Sequence, residues 1–363
     1  MTDSADNAPL AIGKLPSALL GALLTANQVD DASVLVGPGV GRDAAAIRFG
    51  DAVLVAKSDP ITFASTGTAA YLVDINANDL ACLGATPRWL LVTALLHEGV
   101  TAADVETLFT DLSAVCATRG IAMVGGHTEI TAGLDRTILV GTLLGETTEQ
   151  RLLRPGGARA CDDLLLSKGI AIEGTALLAR ERGDLLRSLI DAATVERAAD
   201  LLDTPGISVV ADAEAVLGQD GVRALHDPTE GGLAMAVREL ATASGGGAII
   251  ERSAVPLLPE TIAVASALAL DPLGMLASGS LLIATAPETT QGLIERASRA
   301  GVTLRHIGCL TDRAGTFTMR QSGESSELPR FDTDEVSRAL NRPLASFIHR
   351  SNVSVAPGEE TPA

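Results

Sequence analysis

Short apolar runs and helical spacings alternate along this chain, and the change of period marks its elements. Residues 33–56 read as two strands around a glycine-rich turn, GPGVGRD. Apolar positions at helical spacing follow from about 66 to 84, where Gly84 and then Pro87 supply a stop. RWLLVTALL (88–96) predicts a strand, and 101–119 a helix with Leu108, Leu112 and Val115 on one face. IAMVGG is a short strand and RTILVGTLLGE (136–146) another, which gives a β-β-α-β-α-β-β unit of about 150 residues. RLLRPGGARACDD then breaks the pattern as a linker, and LLLSKG opens a new strand. The second half alternates again: a helix at 173–182, a helical region near 185–202, the DPTEGG turn with a helix at 230–243, and a strand at 248–251. SGSLLIATAP supplies a strand, 288–300 a helix and 303–309 a final strand. The expected organisation is a loose leader at 1–8, a first domain at 9–150, a second α/β domain at 151–343, and a disordered polar tail at 344–363.

Composition narrows the class. Aromatic residues are 2% of 363, so Ala, Val, Leu and Ile do the packing, and 36 glycines suit closely stacked α/β layers. A formal charge of −18 opposes nucleic acid and anionic membranes, and an acidic ligand would need a cation between it and the protein. No signal peptide or membrane span is visible, and Cys82, Cys116, Cys161 and Cys309 lack paired zinc spacing, so a cytoplasmic protein with reduced thiols is expected.

One stretch conflicts with its own pattern. VDINANDLAC places Asp74, Asn76, Asn78 and Asp79 in a helix that otherwise looks buried, although Asp and Asn compete with the helical backbone for hydrogen bonds. At 100° per residue Asp74, Asn78, Cys82 and Asp79 share an arc of about 140°, opposite Leu72, Val73, Leu80 and Leu83. The helix is therefore expected to have a core face and a polar face. Other acids stand beside glycines: Asp43 in the turn after GPGVGR, Asp59 after the strand VLVAKS, Glu129 in GGHTE just after a short strand, and Asp227 in HDPTEGG before a helix. If they converge, two carboxylates about 4 Å apart repel by roughly 4 kcal/mol at an effective dielectric of about 20, so they take up a proton or a cation. Oxygen ligands without His/Cys clustering favour magnesium, which bridges to phosphate. Gly39 and Gly41 form a phosphate-sized turn, although without the Lys-Ser/Thr of a P-loop, and Gly125, Gly126 and Thr128 of GGHTE expose backbone N–H groups. Lys57 and Lys14 are the best phosphate partners among the basic residues. His127 and His226 lie in the glycine-rich motifs, where each could serve as acid or base or as a structural residue.

Taken in order, GVGRDAAAI, KSDPITF, NANDLACLGATP, GGHTEI and HDPTEGGLA resemble one superfamily. It holds aminoimidazole ribonucleotide (AIR) synthetase, thiamine monophosphate kinase, selenophosphate synthetase and the carbamoyl-dehydrating hydrogenase maturation factor. The resemblance spans roughly 12–342 and is strongest to the hydrogenase-maturation branch, through NANDLACLGATP, KGIAIEGTALLA and DPTEGGLA. It implies a two-domain α/β (α+β) AIR synthetase-like fold. The N-terminal sheet would form a barrel across a homodimer, and the C-terminal mixed sheet would carry helices. It further implies ATP in a cleft near the interface, with Mg2+ on Asp43, Asp59, Asp79, Glu129 and Asp227, and Asn78 beside them. Asp227, His226 and Lys57 would be the catalytic candidates. The implied chemistry is phosphorylation of an oxygen on a small or carbamoyl-type substrate, with dehydration or cyclisation as a following step. Two departures stand out. The chain ends APGEETPA with Cys309 as its last cysteine, so reaction on its own terminal cysteine is not expected; and Glu230 reverses the charge of the arginine in that branch's Asp-Pro-Thr-Arg-Gly-Gly. A factor acting in trans on a partner's thiocarbamoyl group and a non-catalytic nucleotide-binding regulator are the alternatives.

Overall fold

The computed structural model describes residues 15–27, 30–39, 42, 44–62 and 67–343. Lys14, Gly41 and Asp43, together with the expected leader and tail, lie outside the described residues. The chain begins with α1 (Ser17–Ala26), β1 (Val34–Val36), β2 (Ala45–Phe49), β3 (Ala52–Ile61) and α2 (Thr68–Cys82). It continues through β4 (Thr86–Leu96), α3 (Ala102–Arg119), β5 (Ala122–Ile130) and β6 (Ile138–Thr147). These strands form one sheet in the order β1-β2-β3-β6-β4-β5, with β4 and β5 parallel and the other neighbours antiparallel.

The second half holds β7 (Asp163–Ser167), α4 (Ile172–Glu181), α5 (Gly183–Arg187), α6 (Ala192–Asp200), α7 (Val210–Val216), β8 (Val222–His226), α8 (Gly232–Ala243) and β9 (Gly247–Glu251). It ends with α9 (Pro259–Leu268), β10 (Leu282–Thr285), α10 (Thr290–Arg299), β11 (Leu304–Thr311), β12 (Phe317–Gln321), β13 (Glu324–Glu327) and α11 (Glu335–Leu340). The second sheet runs β13-β12-β9-β11-β7-β10-β8. Among the described residues no helix is long and apolar enough to cross a membrane.

Three expectations change. The 33–56 segment contributes three strands instead of two, because Gly50 (φ 63°) and Asp51 close a two-residue hairpin between Phe49 and Ala52. The strand at 304–311 is not the last, since β12 and β13 follow it. Helix α2 does not divide into a core face and an accessible polar face: 12 of its 15 residues are buried, Asp74, Asn76, Asn78 and Asp79 among them.

That burial has a packing cause. Gly141 and Gly145 of β6 let α2 lie close on the first sheet; a Cβ at Gly141 would stand 2.8 Å from Asn76 Nδ2, and one at Gly145 2.8 Å from Leu80 Cδ2. Leu72, Val73 and Leu80 enter the first-half core, which Ile172, Ala176, Leu201, Leu202 and Ile207 of the second half complete. Ala81 and Cys82 pack instead with Val209, Leu217 and Leu225. The helix is thus enclosed from both halves, and each polar side chain on it must find a partner inside the protein.

Candidate functional site

Lys57 and Asp59 lie two residues apart on β3, so they share a face of the sheet. Lys57 Nζ lies 3.2 Å from Asp59 Oδ2 and 2.9 Å from Asp79 Oδ2 on α2. One ammonium therefore serves two carboxylates, one nearly buried and one 36% exposed. The Asp59 N–H donates to Asn76 Oδ1 at 3.0 Å, which fixes β3 against the helix. One turn beyond Asp79, the Cys82 thiol donates to Asp227 Oδ1 at 3.4 Å, so Asp227, 2% exposed, reaches the same helix from the second half.

The remaining polar groups of α2 are held separately. Asn78 donates to the Ile207 carbonyl and accepts from the Val209 N–H, both at 2.8 Å, so its amide staples the 207–209 chain to the helix. That commits both ends of the side chain expected to bind a nucleotide. Asp74 takes a two-pronged contact from Arg119 at the end of α3, at 2.7 and 2.9 Å. His226 closes β8 with Nε2 3.1 Å from Glu239 on α8, so its ring is oriented by a carboxylate.

GGHTE lies elsewhere. The strand β5 runs through Ile130, so Glu129 is inside a strand rather than after one, and every residue of β5 is exposed. Across the sheet Asp59 pairs with Gly141, Gly141 with Val92, and Val92 with Gly126. Gly126 is thus three strand spacings from Asp59, about 14 Å. Within one chain Gly125, Gly126, Thr128 and Glu129 do not join the Lys57 cluster. Gly126 (φ 143°) has its own reason to be glycine, because a Cβ there would fall 1.8 Å from the Val92 carbonyl oxygen. Glu129 is bonded to His127 and Thr131, which together hold its carboxyl below the usual range. Gly39 lies under the Arg42 side chain, whose Nη1 bonds the Gly37 carbonyl at 3.2 Å. Among the described residues no group of three or more His, Cys, Asp or Glu is placed to hold a metal ion.

Two acids that sequence reasoning passed over stand near the DPTEGG loop. Burial pushes the Glu173 carboxyl up to about 7; Asp334, Glu230 and Asp227 add to the rise, and a Ser278 hydrogen bond opposes it. Asp334 is pushed up to about 6, again mainly by burial, with the Gly231, Val336 and Leu276 N–H groups pulling the other way. The only signal in sequence was a lone Glu in the apolar run IAIEGTALLA. Both carboxyls bind their proton more tightly folded than unfolded. The stability they supply is complete below 3.8–4.5 and is lost as pH rises through about 6 and then about 7. Urea midpoints should therefore fall over that window, and Glu173→Gln should flatten the upper part of the fall. An unchanged slope in the variant would remove Glu173 as its source.

Residues 41–147 match the AIR synthase related protein N-terminal domain, and residues 162–321 match the corresponding C-terminal domain. The chain is 30% identical over 254 residues to carbamoyl dehydratase HypE of Cupriavidus necator, across 69% of each chain. Its fold is similar to that of hydrogenase maturation protein HypE in complex with ATP, with a TM-score of 0.62 at 21% identity, covering 88% of this chain and 91% of that one. It is also similar to AaThiL complexed with AMPPCP and TMP, with a TM-score of 0.65 at 18% identity over 86% and 94% of the two chains. With both domains matched in order and the buried Asn-Asp helix between them, the chain belongs to the AIR synthase related family, in its HypE-like branch.

Proposed function

We propose that this chain is a magnesium- and ATP-dependent enzyme that phosphorylates an oxygen of a small or carbamoyl-type acceptor. The observation that carries the reading is the Lys57 ammonium held between Asp59 and Asp79 on the helix that Asp227 reaches from the other half. Carboxylate oxygens are the donors magnesium takes, and Asp59 and Asp79 already share one cation, the Lys57 ammonium; since no three acids among the described residues form a ready-made site, nucleotide phosphate would supply the remaining ligands. Asp59, Asp79 and Asp227 would hold the ion, which would neutralise phosphate charge when bound. Lys57 would then be released toward the nucleotide phosphates, and His226, oriented by Glu239, would stand next to Asp227 as a proton acceptor. Asn78 would position the second half against the site without touching the nucleotide. The relatives' name, carbamoyl dehydratase, favours a carbamoyl-type acceptor within this class.

A homodimer belongs to the same reading. An edge strand exposed along its whole length, with Met123, Val124 and Ile130 at 38%, 55% and 66%, is an unpaired template for a second chain. Pairing there would explain how Thr128 and Glu129 serve a nucleotide site that they do not reach in one chain.

Magnesium–ATP should raise the melting temperature, and Asp79→Asn should weaken that shift. An equal shift in the variant would take Asp79 out of the site. Incubating the purified protein with ATP and candidate amides and alcohols, and resolving ADP from AMP, tests turnover itself. Binding with neither product would leave a nucleotide-binding regulator.

A further inference from the structure

Three segments of the second half meet beside the DPTEGG loop. The first turn of α4 docks on the 276–278 chain, with the Glu173 and Gly174 N–H groups donating to the Ser278 and Leu276 carbonyls at 3.2 and 2.9 Å. Ala277 donates back to Thr229 of the loop at 3.2 Å. Asp334, the N-cap of α11, accepts from the Gly231 N–H at 2.8 Å and the Val336 N–H at 2.7 Å. Glu173, Asp227, Glu230 and Asp334 are therefore gathered closely enough that each of the other three raises the proton affinity of Glu173.

Crowded carboxylates alone say little, but two further atoms point to a ligand. Glu173 is 5% exposed and its Oε2 has no hydrogen-bond partner. The Tyr71 hydroxyl on α2 is also buried without a partner, and after burial the nearby Glu173 charge is the largest influence raising its proton affinity. One unsatisfied group thus comes from each half of the molecule, although buried polar atoms are almost always bonded. No Lys or Arg among the described residues forms a salt bridge with Glu173 or Asp334.

We propose that this cluster is the acceptor side of the site, and that the acceptor carries a cationic nitrogen group, an ammonium, amidinium or guanidinium, seated against Glu173. The assignment rests on the reading of the neighbouring cleft as an ATP-using site. An anionic acceptor is opposed by Glu173 and Asp334, which no Lys or Arg among the described residues meets. A second metal ion is disfavoured because both oxygens of Asp334 are taken by backbone N–H groups. A nitrogen cation brings both the charge and the hydrogen-bond donors that Glu173 Oε2 lacks. Glu230 of the loop is half-buried.

The test is saturation-transfer NMR on the full chain, with and without magnesium–ATP, using methylguanidinium, methylammonium, N-methylurea and acetate as probes. The two cations should bind more tightly than N-methylurea, acetate should not bind, and Glu173→Gln should weaken the cations by about tenfold. Glu230→Gln serves where the first variant fails to fold. Equal signals from N-methylurea, or cation signals unchanged in the folded variants, overturn the inference. The magnesium–ATP melting shift on the same samples separates the two readings: its loss sinks the ATP site while the cation result stands, and its persistence without cation binding sinks only the acceptor assignment.

Discussion

Arg119→Ala should lower the free energy of unfolding by about 3 kcal/mol, the low end for a buried pair because the Arg119 side chain is itself 38% exposed, and still a large share of a marginal total. Asp74 is 2% exposed, and the guanidinium at the end of α3 meets both of its oxygens, at 2.7 and 2.9 Å. The pair also raises the proton affinity of Arg119, chiefly through the hydrogen bonds to Asp74. Truncating the arginine leaves a carboxylate inside the protein without that fork, and the cost is its desolvation rather than the modest worth of the pair. Arg119→Lys should recover less than half, because an ammonium cannot make two parallel bonds. Adding Asp74→Asn to Arg119→Ala should restore part of the loss, since the uncompensated charge is then gone. Urea denaturation of the wild type, Arg119→Ala, Asp74→Asn and the double variant measures this as a coupling energy. A loss under about 1 kcal/mol for Arg119→Ala would mean that the contact behaves like an exposed surface pair.

That helix shows which parts of the molecule were legible beforehand. Its limits were readable because apolar spacing and Gly84 are local signals; the expected 66–84 became Thr68–Cys82. The angular arc also placed Asp74, Asn78, Asp79 and Cys82 on one side of the helix. Their partners were not readable. Arg119 is 45 residues from Asp74, Ile207 is 129 from Asn78, and Asp227 is 145 from Cys82. An arc on a helix says that polar groups share a side, not that they share a ligand, and here they are divided among an arginine, a backbone loop, a lysine and a second-half carboxylate.

The missed elements have equally local causes. The four residues of β13, Glu-Ser-Ser-Glu, are all exposed, so no apolar period marks them. The glycine pair in β5 reads as a break, yet an exposed edge strand tolerates it because β4 supplies the pairing. Glu173 escaped notice for the opposite reason, as one acid in an apolar run looks like a helix surface residue until the second half is folded over it.

Lys57→Met should reduce ATP turnover by about 10²–10³-fold, the usual loss when one fixed cation or donor is taken from a developing phosphate charge. The methionine keeps most of the apolar stem, so the change is mainly one of charge. Stability should move in a way that packing alone does not explain. The two carboxylate oxygens flank one nitrogen at 3.2 and 2.9 Å. They are thus no more than about 6 Å apart, and without the ammonium they repel by about 3 kcal/mol at an effective dielectric of about 20. Solvent at half-exposed Asp59 screens part of this. The variant should therefore melt lower than the wild type in the absence of divalent ions. Magnesium without nucleotide should then raise its melting temperature more than it raises that of the wild type, because the ion takes the place the lysine left. The paired measurement is a thermal melt of both proteins with and without millimolar magnesium, followed by ATP turnover on the same preparations. Equal magnesium shifts in the two proteins would show that Asp59 and Asp79 do not share a cation, and full turnover in the variant would move the phosphates away from Lys57.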